Sequence, residues 1–355
     1  MKRADELGIV LDGLPGDTDS ITDVAGVEVG HETLISGEGS GKSDTPVVRT
    51  GVTAILPIGR ANLGRDVFCG ATVLNGNGEW TGSAWTEESG MLCGPIMLTN
   101  TYSVGIVRDA VLKWMNSNRM KHDSLPVVFE IYDGVLSDIR GHHISDNHVF
   151  AAIEKASHGP VAEGNVGGGT GAICYDFKGG IGTSSRKVKV LGDEYVVGVL
   201  VQANQGLRDQ LQINGVPVGR DIGNALVRTK EIGSIVSVIA TDAPMLPHQL
   251  KRLSRRGYLG LARTGSISSN GSGDFSIAFS VANSYNHGDA RREKSDWISN
   301  GELDALFEGV VQATEESIIN ALLAAESMRG TDGHFVPALP HDRLRELMAG
   351  ARRLH

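Results

Sequence analysis

The sequence predicts an α/β fold, and three observations carry that expectation. Short β-branched or alternating runs, the mark of buried strands, recur from end to end. Between them lie stretches with the 3.6-residue apolar period of amphipathic helices. No linker, low-complexity tract or charge block divides the 355 residues, so one domain spanning 1–355 is expected rather than two. The 47 glycines scatter without a period, which excludes collagen-like repeats and points to many tight turns and close backbone approaches.

Taken in order, "ITDVAGVEVGHETLI" (Ile21–Ile35) reads as strand material broken by Gly26 and Gly30, and "GVTAILPIG" (Gly51–Gly59) as an apolar strand. Val107, Val111, Leu112 and Met115 give Ser103–Asn118 a helical period. "LPVVFEIYDG" (Leu125–Gly134) is a strand leaving through a turn. Ser145–Ser157 is a helix with a Ser/Asp cap. "YVVGVLVQAN" (Tyr195–Asn204) and "GSIVSVIATDAP" (Gly233–Pro244) have the length and β-branching of buried strands, and Leu246–Leu261 is a helix. Phe275–Val281 is a further strand. In Gly301–Met328, Leu303, Leu306, Phe307, Val310, Thr314, Ile318 and Leu322 share one face of a long amphipathic helix. A short helix, "HDRLRELMAG", follows Pro340.

Charge and composition narrow the function. The net charge is -9 and the pI near 5.7, with no basic tail or stripe, so nucleic acid is not an expected partner. The basic run Lys251–Arg256 fits the solvated face of a helix whose Leu250, Leu253 and Leu261 turn inward. Cys69, Cys93 and Cys174 are far apart and odd in number, which predicts buried reduced thiols rather than disulfides or zinc ligands. The N-terminus lacks an apolar signal-peptide region, and no apolar run nears the roughly 20 residues that span a bilayer. A soluble, cytoplasmic protein with no membrane partner is expected.

Several motifs invite chemistry and do not support it. "SGEGSGKS" (Ser36–Ser43) has Ser36 where a phosphate-binding loop requires glycine. His142, His143 and His148 lack the i, i+4 spacing of helical metal ligands, so no metal is expected there. The glycine-dense "GNVGGGTGAICYDFKGGIGTSSR" (Gly164–Arg186) is not a dinucleotide fingerprint. It reads as tight turns between strands, or as a close backbone approach to a substrate or a neighbouring subunit.

The sharpest signal is "NGSGD" (Asn270–Asp274), where a small-residue loop enters a strand with a serine at the junction. An ordinary Asn-Gly/Ser-Gly turn accounts for the local spacing. The same spacing suits self-cleavage between Gly271 and Ser272, by attack of the Ser272 hydroxyl on the Gly271 carbonyl. Gly271 offers no side chain to block that attack. The cut would leave Ser272 with an α-amine of unperturbed pKa about 7.7–8.0, able to act as base for its own hydroxyl.

Motifs along nearly the whole chain extend this reading. "ITDVAGVEVGHETL", "NGNGEWTGSAWTEESG", "GGGTGAICYDFKGGIGTSSR", "GVLVQANQG", "ATDAPMLPHQLKRLSRRGYLGLARTGS", "NGSGDFSIAFSVAN" and "ATEESIINALLAAESM" occur in the order of the self-processing D-aminopeptidase/β-peptidyl aminopeptidase family of N-terminal serine hydrolases, peptidase family S58, which the chain resembles. The resemblance implies an αββα sandwich of the N-terminal-nucleophile hydrolase kind. It implies fragments 1–271 and 272–355 that stay together, and release of N-terminal residues from small peptides, amides or esters. With no metal-ligand set among the motifs above, no metal or cofactor is expected. It also implies a homo-oligomer, a tetramer of processed heterodimers.

Carried over residue by residue, the resemblance makes Ser272 the nucleophile and Asn204 a donor to the oxyanion, a task that suits an amide because it does not titrate. Tyr132 lines the site. Glu130, two residues earlier, points to the same strand face and would hold the substrate's ammonium group. Thr314 and Glu316 would support the new α-amine, although they stand about 200° apart on an ideal helix. Leu207–Ile232 is a connection of variable length. Related chemistries, hydrolysis of amide oligomers or acyl transfer to an amine, remain open, as does a non-catalytic scaffold if the chain stays uncut.

Overall fold

A computed structural model describes residues 2–39, 45–118, 120, 125–223, 226–228, 230, 233–286 and 294–354. The strands are β1 (Glu28–Ser36), β2 (Val48–Leu56), β3 (Arg65–Gly76), β4 (Met91–Cys93), β5 (Ile96–Asn100), β6 (Val127–Ile131), β7 (Ile173–Cys174), β8 (Phe177–Lys178), β9 (Gly180–Val190), β10 (Asp193–Ala203), β11 (Ser234–Thr241), β12 (Gly273–Asn286), β13 (Met328–Arg329) and β14 (Phe335–Val336). The helices are α1 (Ser83–Ser89), α2 (Val104–Ser117), α3 (Asp146–Glu154), α4 (Val218–Asp221), α5 (Pro247–Arg263), α6 (Asp304–Ala324) and α7 (His341–Gly350).

Two sheets stack face to face, one in the order β1-β2-β5-β6 and the other β4-β3-β12-β11-β10-β9. Their facing sides share a core in which Ile55, Leu98 and Phe129 meet Leu200, Val236, Val238, Phe275, Ile277 and Phe279. On the outside of the smaller sheet, α2 and α3 pack through Val107, Val111, Val149 and Ile153 onto Val52, Ala54 and Met97. On the outside of the larger sheet, α5 and α6 pack through Leu250, Leu253, Val310, Ile318 and Leu322 onto Val199, Ile239 and Ala278. The layers therefore run α, β, β, α, as expected.

The differences from the sequence reading have local causes. Ile21–Asp23 is a 3₁₀ turn, not the start of a strand. The Asp23 carboxylate accepts from the Thr18 and Ser20 backbone N–H groups, and these short-range bonds compete with strand pairing. The stretch read as turns within Gly164–Arg186 runs into β9, which is eleven residues long and paired to β10 along its whole length. Its glycines do mark a close approach, but to a helix of the same chain: a Cβ on Gly182 would stand 1.9 Å from the Ser317 carbonyl oxygen of α6. Helix α6 is enclosed on every side from Ala313 to Ala324, beyond the single stripe its period suggested. Cys69 and Cys174 are buried and Cys93 is half-buried.

Candidate active site

Ser272 lies at the N-terminal edge of β12, an interior strand of the larger sheet. Strand pairing begins one residue later, where Gly273 aligns with Ser234 of β11 and Gly76 of β3. Only glycine fits that position, because a Cβ would stand 2.5 Å from the Asn77 carbonyl oxygen. Ser272 is fully buried. Its N–H donates to the Ser269 carbonyl at 2.8 Å, and its hydroxyl donates to Asp274 Oδ1 at 2.7 Å. The Ser268 hydroxyl donates to the other Asp274 oxygen.

Two asparagines to which the sequence reading gives no role hold the backbone around this serine. Asn77 Nδ2 donates to the Gly271 carbonyl at 2.8 Å. Asn75 Nδ2 donates to the Ser269 carbonyl at 2.9 Å and also to that of Ser272. Both belong to "NGNG", at the end of β3 and in the turn after it. The peptide before Ser272 is therefore held from both sides, by Asn77 at its oxygen and by the Ser269 carbonyl at its N–H.

Asn204 follows the last residue of β10 at the same end of the sheet, where its backbone bonds to Ser234 on the strand next to β12. Its side chain is buried and fixed at both ends. Oδ1 accepts the Ile173 N–H at 2.8 Å, and Nδ2 donates to the Tyr132 carbonyl at 3.1 Å. The Nδ2 group has a second N–H, available to a further acceptor.

The orientation of this amide has a cause deeper in the protein. Lys178 is completely buried, and its Nζ donates to the carbonyls of Ala172 at 2.9 Å, Gly179 at 2.9 Å and Gly169 at 3.4 Å. Three acceptors match the three donors of an ammonium. Burial pushes the amine down to about 7, while the nearby Cys174 and Asp133 pull it back up. The carbonyl of Ala172 and the N–H of Ile173 belong to one peptide. A charge at Lys178 thus polarises that peptide and strengthens its grip on Asn204 Oδ1.

Glu130 is buried in β6. It accepts the Glu79 backbone N–H at 3.0 Å on one oxygen and the Thr101 hydroxyl on the other. Burial pushes its carboxyl up, against both of those bonds. The neighbouring Gly78 lies between Glu130 and β12: a Cβ there would stand 2.7 Å from Glu130 Oε1 and 2.8 Å from the Phe275 ring. Tyr132 lies just past the end of β6, half-buried, with its ring against Gly134. Its observed link to the site is its backbone carbonyl on Asn204, not its phenol.

Ser272, Asn204, Tyr132 and Glu130 are thus gathered at one end of the sandwich. Thr314 and Glu316 are not brought to the serine. Glu316 accepts from Arg186 Nη2 at 2.5 Å and from the Ser184 hydroxyl at 3.1 Å. Ser184 is on β9, three strands from β12, and aligns through Val199 and Ile239 with Ala278, six residues beyond Ser272. Thr314 is buried against α5, where a Cβ on Gly260 would stand 2.6 Å from its Cβ, and its hydroxyl has no hydrogen-bond partner among the described residues. The expected support of the α-amine has no counterpart in these contacts.

The remaining motifs have other roles. His148 accepts the Ser145 N–H at the start of α3, His143 meets Asp138 at 3.0 Å, and His142 stacks on Tyr102. Among the described residues, no three His, Cys, Asp or Glu side chains form a group that could hold a metal. Residues 40–44 of the "SGEGSGKS" stretch lie outside the described residues, as do 224, 225, 229, 231 and 232 of the 207–232 connection.

Comparison with known proteins places this geometry in a family. The model of peptidase family S58 matches residues 19–336. The β-peptidyl aminopeptidase BapA of Sphingosinicella microcystinivorans is 47% identical over 369 residues, covering 99% of this chain and 93% of that protein. The namesake from Sphingosinicella xenopeptidilytica is 46% identical, covering 98% and 90%. The solved structure of the L-aminopeptidase D-Ala-esterase/amidase from Ochrobactrum anthropi superposes with a TM-score of 0.93 at 41% identity, with both chains fully covered. It is described as a prototype of the serine aminopeptidases and a variant of the Ntn hydrolase fold.

Proposed function

The chain belongs to peptidase family S58, and we propose that it matures by cutting its own Gly271–Ser272 bond and then works through the new N-terminal serine as an aminopeptidase and amidase. The observation that carries this reading is the Gly271–Ser272 junction itself. The attacking hydroxyl lies 2.7 Å from a carboxylate oxygen, and the carbonyl to be attacked already accepts a hydrogen bond.

In turnover, the Ser272 α-amine takes the hydroxyl proton as Oγ bonds to the substrate carbonyl. The second N–H of Asn204 Nδ2 meets the developing oxyanion. The proton then passes to the leaving amine as the C–N bond breaks, and water hydrolyses the ester. Glu130 receives the substrate's ammonium group. An arriving cation offsets the cost of burying that carboxylate, which favours substrates with a free amino end. The names of the two curated relatives bring β-amino acyl peptides within range of such a site. The family resemblance further supports a homo-oligomer, a tetramer of processed heterodimers; no helix among the described residues is long and apolar enough to cross a membrane. A processed protein that light scattering shows to be a lone heterodimer would remove the assembly from this reading.

The test is to trap the acyl-enzyme. Mixing the protein with an activated amino-acid ester and quenching in acid should add one aminoacyl mass to the Ser272–His355 fragment. Ser272→Ala should acquire none. Acylation of another residue, or equal labelling of Ser272→Ala, would rule out Ser272 as the nucleophile.

A further inference from the structure

We propose that the chain has separate oxyanion donors for its two reactions: the Asn77 side-chain amide for cutting the Gly271–Ser272 bond, and Asn204 for turnover of substrate. The inference rests on the self-cleavage reading and deepens it.

The observation behind it is which oxygen each amide serves in the continuous chain. Asn77 Nδ2 donates at 2.8 Å to the carbonyl of Gly271, the carbonyl that self-cleavage must attack. Asn204 has its oxygen on Ile173 and one of its N–H groups on Tyr132. Their surroundings differ as well. Asn204 is buried, whereas Asn77 is exposed on the turn that follows β3. That turn lies against the loop carrying the scissile bond, and Asn75 fastens the two together by holding the Ser269 and Ser272 carbonyls.

The step balances within these residues. The Ser272 hydroxyl passes its proton to Asp274 as Oγ bonds to the Gly271 carbonyl carbon. The carbonyl electron pair moves onto oxygen, where the Asn77 N–H meets it. Collapse restores the carbonyl and breaks the bond to the Ser272 nitrogen, which takes the proton from Asp274. The product is an ester of Gly271 on Ser272 Oγ beside a free α-amine. Water then cleaves the ester, leaving the Gly271 carboxylate and the Ser272 hydroxyl. Once Gly271 is a chain end, Asn77 no longer faces a reacting carbonyl.

A buried oxyanion donor is worth on the order of 100- to 1,000-fold in rate, and a donor at the solvent edge less, because water substitutes for part of it. Asn77→Ala and Asn77→Asp should therefore slow cutting by about 10- to 100-fold. Asn77→Asp keeps the shape and removes the N–H. Because Asn77 is exposed, neither change removes core packing, and melting temperature confirms that each variant is folded. Cutting is followed by mass spectrometry after a pulse of cell-free synthesis, and kcat is measured per Ser272 α-amine counted by N-terminal labelling. The expected result is slow cutting with per-site kcat within about twofold of wild type. Asn77 variants that cut at the wild-type rate, or whose per-site kcat falls as far as their cutting rate, overturn the assignment alone. A wild-type chain that never cuts overturns the self-cleavage reading and this assignment with it.

Discussion

At the residue scale, the two amides on either side of Ser272 differ in how far the sequence revealed them. Asn204 stands out only through the family motif "QANQG"; nothing in its local spacing separates a reactive amide from one at an ordinary strand end. Asn77 is separated from Gly271 by 194 positions, and no local pattern announces that contact. Lys178 sits in a glycine-dense stretch that reads as turns, so its burial was invisible as well. For Asn204→Ala, kcat should fall on the order of 100- to 1,000-fold in the matured enzyme, while KM stays within a few-fold. Lys178→Met keeps the volume and removes the ammonium. It should lower kcat by about tenfold, since a polarised hydrogen-bond chain transmits only part of a charge's effect. If Lys178 acts through Asn204, its effect should vanish in the Asn204→Ala background. Equal fold-losses in both backgrounds would show that Lys178 serves the fold and not the amide.

At the element scale, long periodic segments were legible and strands interrupted by glycine were not. Helices α2, α3, α5 and α6 and strands β2, β6, β10, β11 and β12 all fall where hydrophobic period and β-branching place them. Strand β3 is not legible because Gly70 breaks its run, and β9 because it opens on Gly180 and Gly182, the second of which α6 rests on. Helix α6 shows why period alone misplaces a site residue. Glu316 lies outside the apolar stripe and is nonetheless buried, among Arg186, Arg3, Asp19 and Glu163. Arg186 and Arg3 pull the Glu316 carboxyl down, but burial pushes it up more strongly, with Asp19 adding to the rise. Glu316→Ala would leave Arg186 buried without its closest carboxylate, at a cost of about 3–5 kcal/mol. The account predicts a large drop in melting temperature with per-site kcat largely kept. Lost kcat at an unchanged melting temperature would restore Glu316 to the catalytic role that the resemblance implied.

At the scale of the whole molecule, the proposed cut falls between two parts that the fold interleaves. The segment after Ser272 supplies β12, inside the larger sheet between β3 and β11, and α6, which covers that sheet's outer face. The Arg186–Glu316 ion pair joins the two parts, and so does the bond from the Ala4 N–H to Asn320 Oδ1. Hydrolysing one peptide bond at the edge of β12 leaves these contacts in place, so the pieces should stay together without a disulfide. The αββα architecture became legible once the family motifs were recognised, because composition and period give the strands and helices but not their layering. The measurement that bears most directly on the account is the intact mass of the purified protein, taken under denaturing, non-reducing conditions beside Ser272→Ala. The account predicts two species for the wild type, Met1–Gly271 and Ser272–His355, which elute as one particle before denaturation, and a single full-length species for Ser272→Ala. A catalytically active wild type that remains one uncut chain, or a Ser272→Ala chain that divides at the same bond, would contradict it.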